Sequence, residues 1–271
     1  MATLYIVATP IGNLEDITLR ALRILREVSL IASEDTRTTF RLLKRHKITT
    51  PLTSYFEHNK QSKLEYLLGK LAGGDIALVS EAGMPAISDP GYELVVAAKR
   101  EGFNVVPIPG PSAFISALAV SGLPTDACHY LGFLPRKTSD RRRLLETVAH
   151  EMVTLAAYEA PHRLIVALRD IMDILGNRRV AVCRELTKLH EEVFCGTVGE
   201  AIAHFGLPRG EFTLIIDGFT SPASSNSVTE VTAQLLELKK NGVTAKEALE
   251  LIAKGNGISR RDLYREWLKL K

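Results

Sequence analysis

Three times within the first 120 residues an apolar run suited to a strand stops at a Gly/Pro/Ser turn and gives way to a helical pattern. Leu4-Tyr5-Ile6-Val7 runs into Ala8-Thr9-Pro10-Ile11-Gly12-Asn13. Ile76-Ala77-Leu78-Val79 runs into Ser80-Glu81-Ala82-Gly83-Met84-Pro85-Ala86-Ile87-Ser88-Asp89-Pro90-Gly91, and Val105-Val106-Pro107-Ile108 into Pro109-Gly110-Pro111-Ser112-Ala113. Uninterrupted apolar strands mark a parallel sheet covered on both faces. Turns that follow the carboxyl ends of such strands line the crevice where open α/β sheets take ligands. The chain is therefore expected to be α/β, with a ligand site built from turns.

The pattern between these runs supports the same class. Ile17, Ala21, Leu22, Ile24, Leu25 and Val28 recur at helical spacing, with Asp16 the expected N-cap. Leu30-Ile31-Ala32 reads as a short strand leading into Ser33-Glu34-Asp35-Thr36-Arg37 and a basic helix through Phe40, Leu42 and Leu43. Further helices are expected over residues 61–71, 92–100 and 113–120, so strands and helices alternate as in a mostly parallel sheet. Ser121-Gly122-Leu123-Pro124-Thr125 breaks the pattern and sets a domain boundary. Beyond it come strands at 154–158, 179–183 and 213–217, with a long amphipathic helix over 164–175. The organisation reads as an N-terminal α/β domain over 1–120, a C-terminal α/β domain over 121–220 and a helical appendage over 228–271. A Ser-rich linker, Thr220-Ser221-Pro222-Ala223-Ser224-Ser225-Asn226-Ser227, precedes the appendage. In the appendage Thr244 and Ser259 are the expected N-caps of two helices arranged like a helix-turn-helix.

Several chemistries are disfavoured. Cys128, Cys183 and Cys195 are odd in number and widely spaced, which indicates neither a disulfide framework nor a zinc site, and the seven histidines form no ligand pattern. No metal is expected. The first turn lacks the G-x-G-x-x-G spacing of a dinucleotide site. No apolar run approaches the roughly 20 residues that span a bilayer. Met1-Ala2-Thr3 leads straight into a strand, so a cytoplasmic location is expected. The net charge of +3 is modest, but from Ser227 onward nine lysines and arginines face six acids, which concentrates the excess in the tail.

The turns themselves are ambiguous when read singly. Pro10 and Gly12 can simply shape a tight connection, Asp89 beside Pro90-Gly91 can be a turn former, and Ser112 can be a plain N-cap. The loop from Ser80 to Gly91, however, is far longer than a βα connection requires, and long ordered loops carry function.

Taken together, TPIGNLEDIT (9–18), SEDTR (33–37), SEAGMPAISDPG (80–91), PIPGPSAFISAL (107–118), GFLPRK (132–137), YEAPHR (158–163) and RELTKLHEE (184–192) resemble the tetrapyrrole methylase superfamily, and within it the branch that methylates ribosomal RNA. The likeness runs in unbroken order from residue 3 to about 218. It implies two α/β domains with S-adenosylmethionine in the cleft between them. It also implies methyl transfer to the 2′-hydroxyl of a cytidine in the decoding region of 16S ribosomal RNA, in the small ribosomal subunit, by a homodimer. The cofactor positions it implies are Pro10, Ser80, Gly83, Ile87, Ser112 and Ala113, joined by Tyr158, Glu159, Leu186, Gly210 and Glu211. A methylase acting on a tetrapyrrole is the alternative within the superfamily, and a ribosome-binding protein with a degenerate cofactor fold is the alternative outside it.

A ribose hydroxyl is a weak nucleophile, so a nearby base helps. Glu34, Asp35 and Asp89 are the acidic candidates, together with Glu81, while Lys188 or Arg184 could instead stabilise negative charge. For RNA, the densest basic segment is Arg136-Lys137-Thr138-Ser139-Asp140-Arg141-Arg142-Arg143, with five cations to one anion, a pattern that tracks phosphates or else a merely solvated face. Arg37 and Arg163 join it, and Arg41, Lys44, Arg45 and His190 are secondary candidates.

Overall fold

The computed structural model describes residues 2–220, 228–241, 243–256, 263–264 and 267–268. Five strands, β1 (Thr3–Val7), β2 (Leu30–Ser33), β3 (Leu52–Ser54), β4 (Ile76–Val79) and β5 (Asn104–Ile108), form an all-parallel sheet in the order β3-β2-β4-β1-β5. The apolar runs explain the centre of this order: β2 and β4 are buried at every residue, as strands covered on both faces must be. Pro107 interrupts β5, and β5 lies at the edge, where a missing N–H does no harm.

Helices α1 (Leu19–Glu27) and α2 (Thr36–Arg45) close one face, packing Ala21, Ile24, Leu25, Leu42 and Leu43 on Val7, Ile31, Val79 and Ile108. Helices α3 (Lys60–Gly73) and α4 (Tyr92–Arg100) close the other, packing Leu67, Leu71, Leu94 and Ala98 on Leu4, Ile6, Ile76 and Leu78. Thr18, rather than the expected Asp16, caps α1: its Oγ1 accepts from Ala21 N at 3.1 Å. Asp16 instead ends a short 3-10 turn, Leu14–Asp16, capped by Asn13.

Helix α5 (Ala113–Val120) follows β5 in the chain but packs elsewhere. Its Ala117 is buried with Leu123 against Ala156, Ala181, Cys183 and Ile215 of a second sheet. That sheet contains β6 (Cys128–Phe133), β7 (Thr154–Glu159), β8 (Arg179–Arg184), β9 (Glu192–Thr197) and β10 (Phe212–Ile216) in the order β6-β7-β10-β8-β9. Only β6 and β7 are parallel; β10 runs antiparallel to both β7 and β8. Helices α6 (Thr138–Thr147), α7 (Leu164–Leu175) and α8 (Val198–His204) cover its far face around Leu145, Leu168, Ile171, Val198 and Leu214.

Residues 1–217 form one compact unit and 218–271 another. Within the second, α9 (Val228–Lys240) and α10 (Ala245–Asn256) bury Leu235, Ala248 and Ile252. Thr244 caps α10 as expected, in a reciprocal box with Glu247: Thr244 N donates to Glu247 Oε2 at 3.2 Å and Glu247 N to Thr244 Oγ1 at 3.4 Å. The Ser259 cap and most of the linker lie outside the described residues. No helix among the described residues is long and apolar enough to cross a membrane.

Candidate active site

Because every strand of the first sheet runs parallel, the segments after β1, β2, β4 and β5 all leave from one edge. The backbone ties them together there. Thr9 N donates to Gly83 O at 2.9 Å and Gly83 N to Thr9 O at 3.0 Å, while Ala8 N donates to Ile108 O at 3.2 Å. Gly83 has φ +80°, which a side chain would strain. At Gly110 an added Cβ would stand 3.0 Å from Ala8 Cβ, a tight contact that shows how closely the third turn lies on the first. Ser80, buried, donates through Oγ to Ala82 O at 3.2 Å and holds the start of its loop.

The second sheet reaches the same place. A Cβ on Gly12 would run into Lys188 Cγ and stand 2.9 Å from Thr187 Oγ1, so the segment 185–188 lies directly on the first turn. Lys188 Nζ bonds Glu185 Oε1 and Glu211 Oε2, both at 2.9 Å, and Glu211 N donates to Glu185 Oε1 at 2.9 Å. Burial lowers the Lys188 pKa, but the bonds to Glu211 and Glu185 outweigh it and hold the ammonium above its ordinary value. Lys188 is thus a knot between two carboxylates. Gly210, φ +86°, has no side chain because Glu185 fills that space.

An aromatic group joins the two sheets behind these turns. Phe114 and Tyr130 stack with centroids 4.9 Å apart, Tyr158 meets Tyr130 at 5.6 Å and Phe133 at 5.2 Å. Phe114 N donates to Tyr158 Oη at 3.2 Å, and Ser88 Oγ shares a hydrogen bond with Tyr130 Oη at 2.7 Å. Burial raises the Tyr158 phenol far above its ordinary value, so it stays a neutral anchor. Ser112 caps α5 through Ile115 N, which leaves the Ala113 N–H without a partner among the described residues. Pro10 and Leu186 are half-buried along the seam, and Ile87 is exposed on the long loop.

Backbone strain concentrates here. Of five non-glycine residues with positive φ among those described, Ala86 (+67°), Ser88 (+64°), Glu185 (+50°) and Thr187 (+68°) belong to the two facing loops. Such conformations cost about 1–3 kcal/mol each and persist where a site requires them. Thr187 Oγ1 is also buried with no hydrogen-bond partner among the described residues, an unmet donor and acceptor at the seam.

Four acids stand around the edge. Burial, with the Glu34 charge adding to it and the Ser80 hydroxyl opposing, pushes the Asp89 carboxyl up to about 7. Burial and the charges of Asp35 and Glu34 raise Glu81 as well. Glu34 Oε2 accepts from Glu81 N at 3.3 Å. Asp35 is the N-cap of α2, accepting from Arg37 N at 2.7 Å. No cluster of three His, Cys, Asp or Glu able to hold a metal occurs among the described residues.

Some expected site residues are spent on the fold. Glu159 is buried, its Oε1 bound to Ala160 N at 2.7 Å and to Arg163 Nη2 at 2.6 Å, and Arg163 also donates to Leu134 O at 3.1 Å. Both side chains anchor the end of β7, while Glu159 Oε2 is buried with no hydrogen-bond partner among the described residues. The basic segment needs the largest correction. Arg141 is only 1% exposed and forks onto Asp170 at 2.6–2.7 Å, Pro135 O and Thr138. Arg142 pairs with Asp170 and Asp173, and Arg143 with Asp140. Arg136 and Lys137 extend into solvent without a charged partner from that stretch, and Arg143 is exposed but paired. Arg37 remains open, its side chain 90% exposed with one long contact to Asp35 at 3.9 Å.

Sequence reasoning missed Gly12, Tyr130, Glu185 and Thr187. The glycine was visible, but its reason is a segment 175 residues away.

The sequence matches the family Tetrapyrrole (Corrin/Porphyrin) Methylases over residues 3–202. A protein called Ribosomal RNA small subunit methyltransferase I from Halalkalibacterium halodurans is 48% identical, covering 97% of this chain and 93% of its own length. Its namesake from Thermotoga maritima is 51% identical, covering 80% of this chain and 99% of its own. Among solved structures, a cobalamin biosynthetic enzyme, cobalt precorrin-4 methyltransferase, superposes with a TM-score of 0.59 over 80% of this chain and 94% of its own, at 18% identity, a likeness of fold. Two sheets with this edge of clamped turns, and identity at that level along nearly the whole length, have one reading: the chain belongs to the tetrapyrrole methylase family, in the branch of the ribosomal RNA small subunit methyltransferase I proteins.

Proposed function

We propose that this protein is an S-adenosylmethionine-dependent methyltransferase that modifies the 2′-hydroxyl of a cytidine in small-subunit ribosomal RNA. The observation that carries the reading is near full-length identity of 42–48% to proteins named for ribosomal RNA methylation. A cytoplasmic location and a homodimer belong to the same reading.

The residues at the edge suit the methyl donor. Its polar tail and ribose need hydrogen-bond partners, and the Ala113 N–H and the buried Thr187 Oγ1 lack them. Pro10, Ser80, Gly83, Ile87 and Ser112 line the first-sheet side, with Tyr158, Leu186, Gly210 and Glu211 opposite. When bound, the donor supplies an electrophilic methyl on a sulfonium. The chain contributes position: the Thr9–Gly83 clamp, the Lys188 knot and the aromatic group fix the loops before substrate arrives, and such preorganisation is the main source of rate when the electrophile is already activated.

Asp89 is the base we assign. With its carboxyl near 7 it is ionised in part at neutral pH and still basic enough to accept a proton. Asp89 would take the proton of the ribose hydroxyl as that oxygen is methylated. Burial keeps the Asp89 proton affinity high, with the charges of Glu34 and Glu81 adding to it, while Asp35 caps α2.

The test is incubation of the purified protein and methyl-labelled S-adenosylmethionine with undermethylated small subunits, free 16S RNA and a uroporphyrinogen-type tetrapyrrole. Label is expected in RNA, at a ribose. Label in the tetrapyrrole alone, or none at all, would overturn the reading.

A further inference from the structure

The segment richest in cations holds Arg141, Arg142 and Arg143 against Asp170, Asp173 and Asp140, which leaves open where a polyanion would lie. Helix α2 supplies the contrast. Arg37, Phe40, Arg41 and Lys44 are spaced i, i+3, i+4, i+7 and so share one side of the helix, with Arg45 next to it, while Thr39, Leu42 and Leu43 face the core. All five outward residues are exposed, Phe40 by 59%. Among the described residues Arg41, Lys44 and Arg45 make no ion pair, and Arg37 has only its long contact to Asp35. No acid occurs within the helix. A large aromatic ring set bare among cations is costly to leave in water, and it matches a ligand carrying both phosphates and flat bases.

The position of the helix adds a second argument. Its N-cap is Asp35, and the preceding residue, Glu34, holds Glu81 N at the edge where Asp89 stands. The stripe therefore starts at the acidic rim of the site and runs away from it for about 10 Å at 1.5 Å per residue. We propose that this outward face of α2 holds single-stranded RNA flanking the modified nucleotide, with phosphates on Arg37, Arg41, Lys44 and Arg45 and a neighbouring base stacked on Phe40. The proposal rests on the RNA-methyltransferase reading above. It moves the principal RNA contact from residues 136–143 to residues 37–45.

Two variants test it, Arg41→Ala/Lys44→Ala and Phe40→Ala, with Phe40→Trp as the conservative partner. Binding of a single-stranded oligoribonucleotide from the decoding region is measured across a salt series, beside S-adenosylmethionine affinity, methyl transfer to small subunits, and sedimentation. Loss of two phosphate contacts should lower the slope of log affinity against log salt by about 1.4. Phe40→Ala should weaken binding by about tenfold and Phe40→Trp should restore it. For each weakened variant KM for the subunit should rise, with kcat and S-adenosylmethionine affinity held. RNA affinity and salt slope equal to wild type in these variants would overturn the proposal while leaving the methyltransferase reading intact. So would a wild-type dimer that the variants split while their RNA binding is unchanged, because the face would then be a contact between copies. If the wild-type protein transfers no methyl to any RNA, the reading fails and the proposal with it.

Discussion

Residues 136–143 and residues 37–45 look alike on paper, yet the molecule uses them in opposite ways. In the first, Arg141 is driven into the core by Asp170, and Arg142 and Arg143 are claimed by Asp170, Asp173 and Asp140. In the second, four cations and a phenylalanine point outward with almost nothing to neutralise them. Two of the deciding acids, Asp170 and Asp173, sit on α7, close to thirty residues along the chain from the arginines they bind. Local charge density thus counts cations without saying whether they are free, and freedom is settled by tertiary partners.

The sharpest way to break this contrast is Arg141→Ala. It removes the buried partner of Asp170 and leaves that carboxylate only the part-exposed Arg142, and removal of one partner of a buried pair costs about 3–5 kcal/mol. Urea unfolding should show that loss, whereas Arg41→Ala should stay within about 0.5 kcal/mol of wild type. Equal effects would abolish the distinction between the two segments.

The same rule, that neighbours decide chemistry, extends to the acids. Asp89→Asn should slow methyl transfer by about a hundredfold or more. In the wild-type protein the rate should climb with pH and level off above about 7, because the base must be ionised, and the variant should lack that rise. The linkage has a definite sign. The folded-state pKa is raised, so the unfolded chain gives up this proton near its ordinary value of about 4 while the folded chain keeps it to about 7. Wild type should therefore lose stability relative to Asp89→Asn as pH rises through that window, with no relative loss below it. Asp35, an acid of similar sequence context, should behave as a cap: Asp35→Ala should cost about 1 kcal/mol of stability. The smallest effect is Arg143→Ala, which loses only a surface pair with Asp140 and should shift stability by less than about 0.5 kcal/mol.

How much of this was legible in the sequence follows the range of the interaction. The strands β1, β4 and β5, the helices α4, α5 and α7 and the three turns announce themselves through continuous apolar runs, helical periodicity and Gly/Pro/Ser punctuation, all local signals. The Ser112 and Thr244 caps were readable for the same reason. Strand β3 has only three residues, and β9 lies at a sheet edge with alternating exposed and part-buried positions, so neither gives an apolar run. Within the candidate site, the motif turns were visible but their joinery was not. Lying against Gly12, the segment at Lys188 is a contact between distant parts of the chain, as is the Phe114–Tyr158 hydrogen bond. Burial of Glu159 and Arg163 likewise depends on how β7 ends against its neighbours.

Helix α5 carries one further consequence. Its first residue offers a backbone donor at the mouth of the site, while one turn later Ala117 is wedged against Ala156, Ala181 and Ile215 of the far sheet, where small side chains leave no slack. A rigid rod seated at one end and working at the other behaves as a lever: an extra methyl group at its fulcrum would be felt as a displaced N–H at the candidate site, so under the proposed function affinity for the donor would be tuned from a position remote from that N–H.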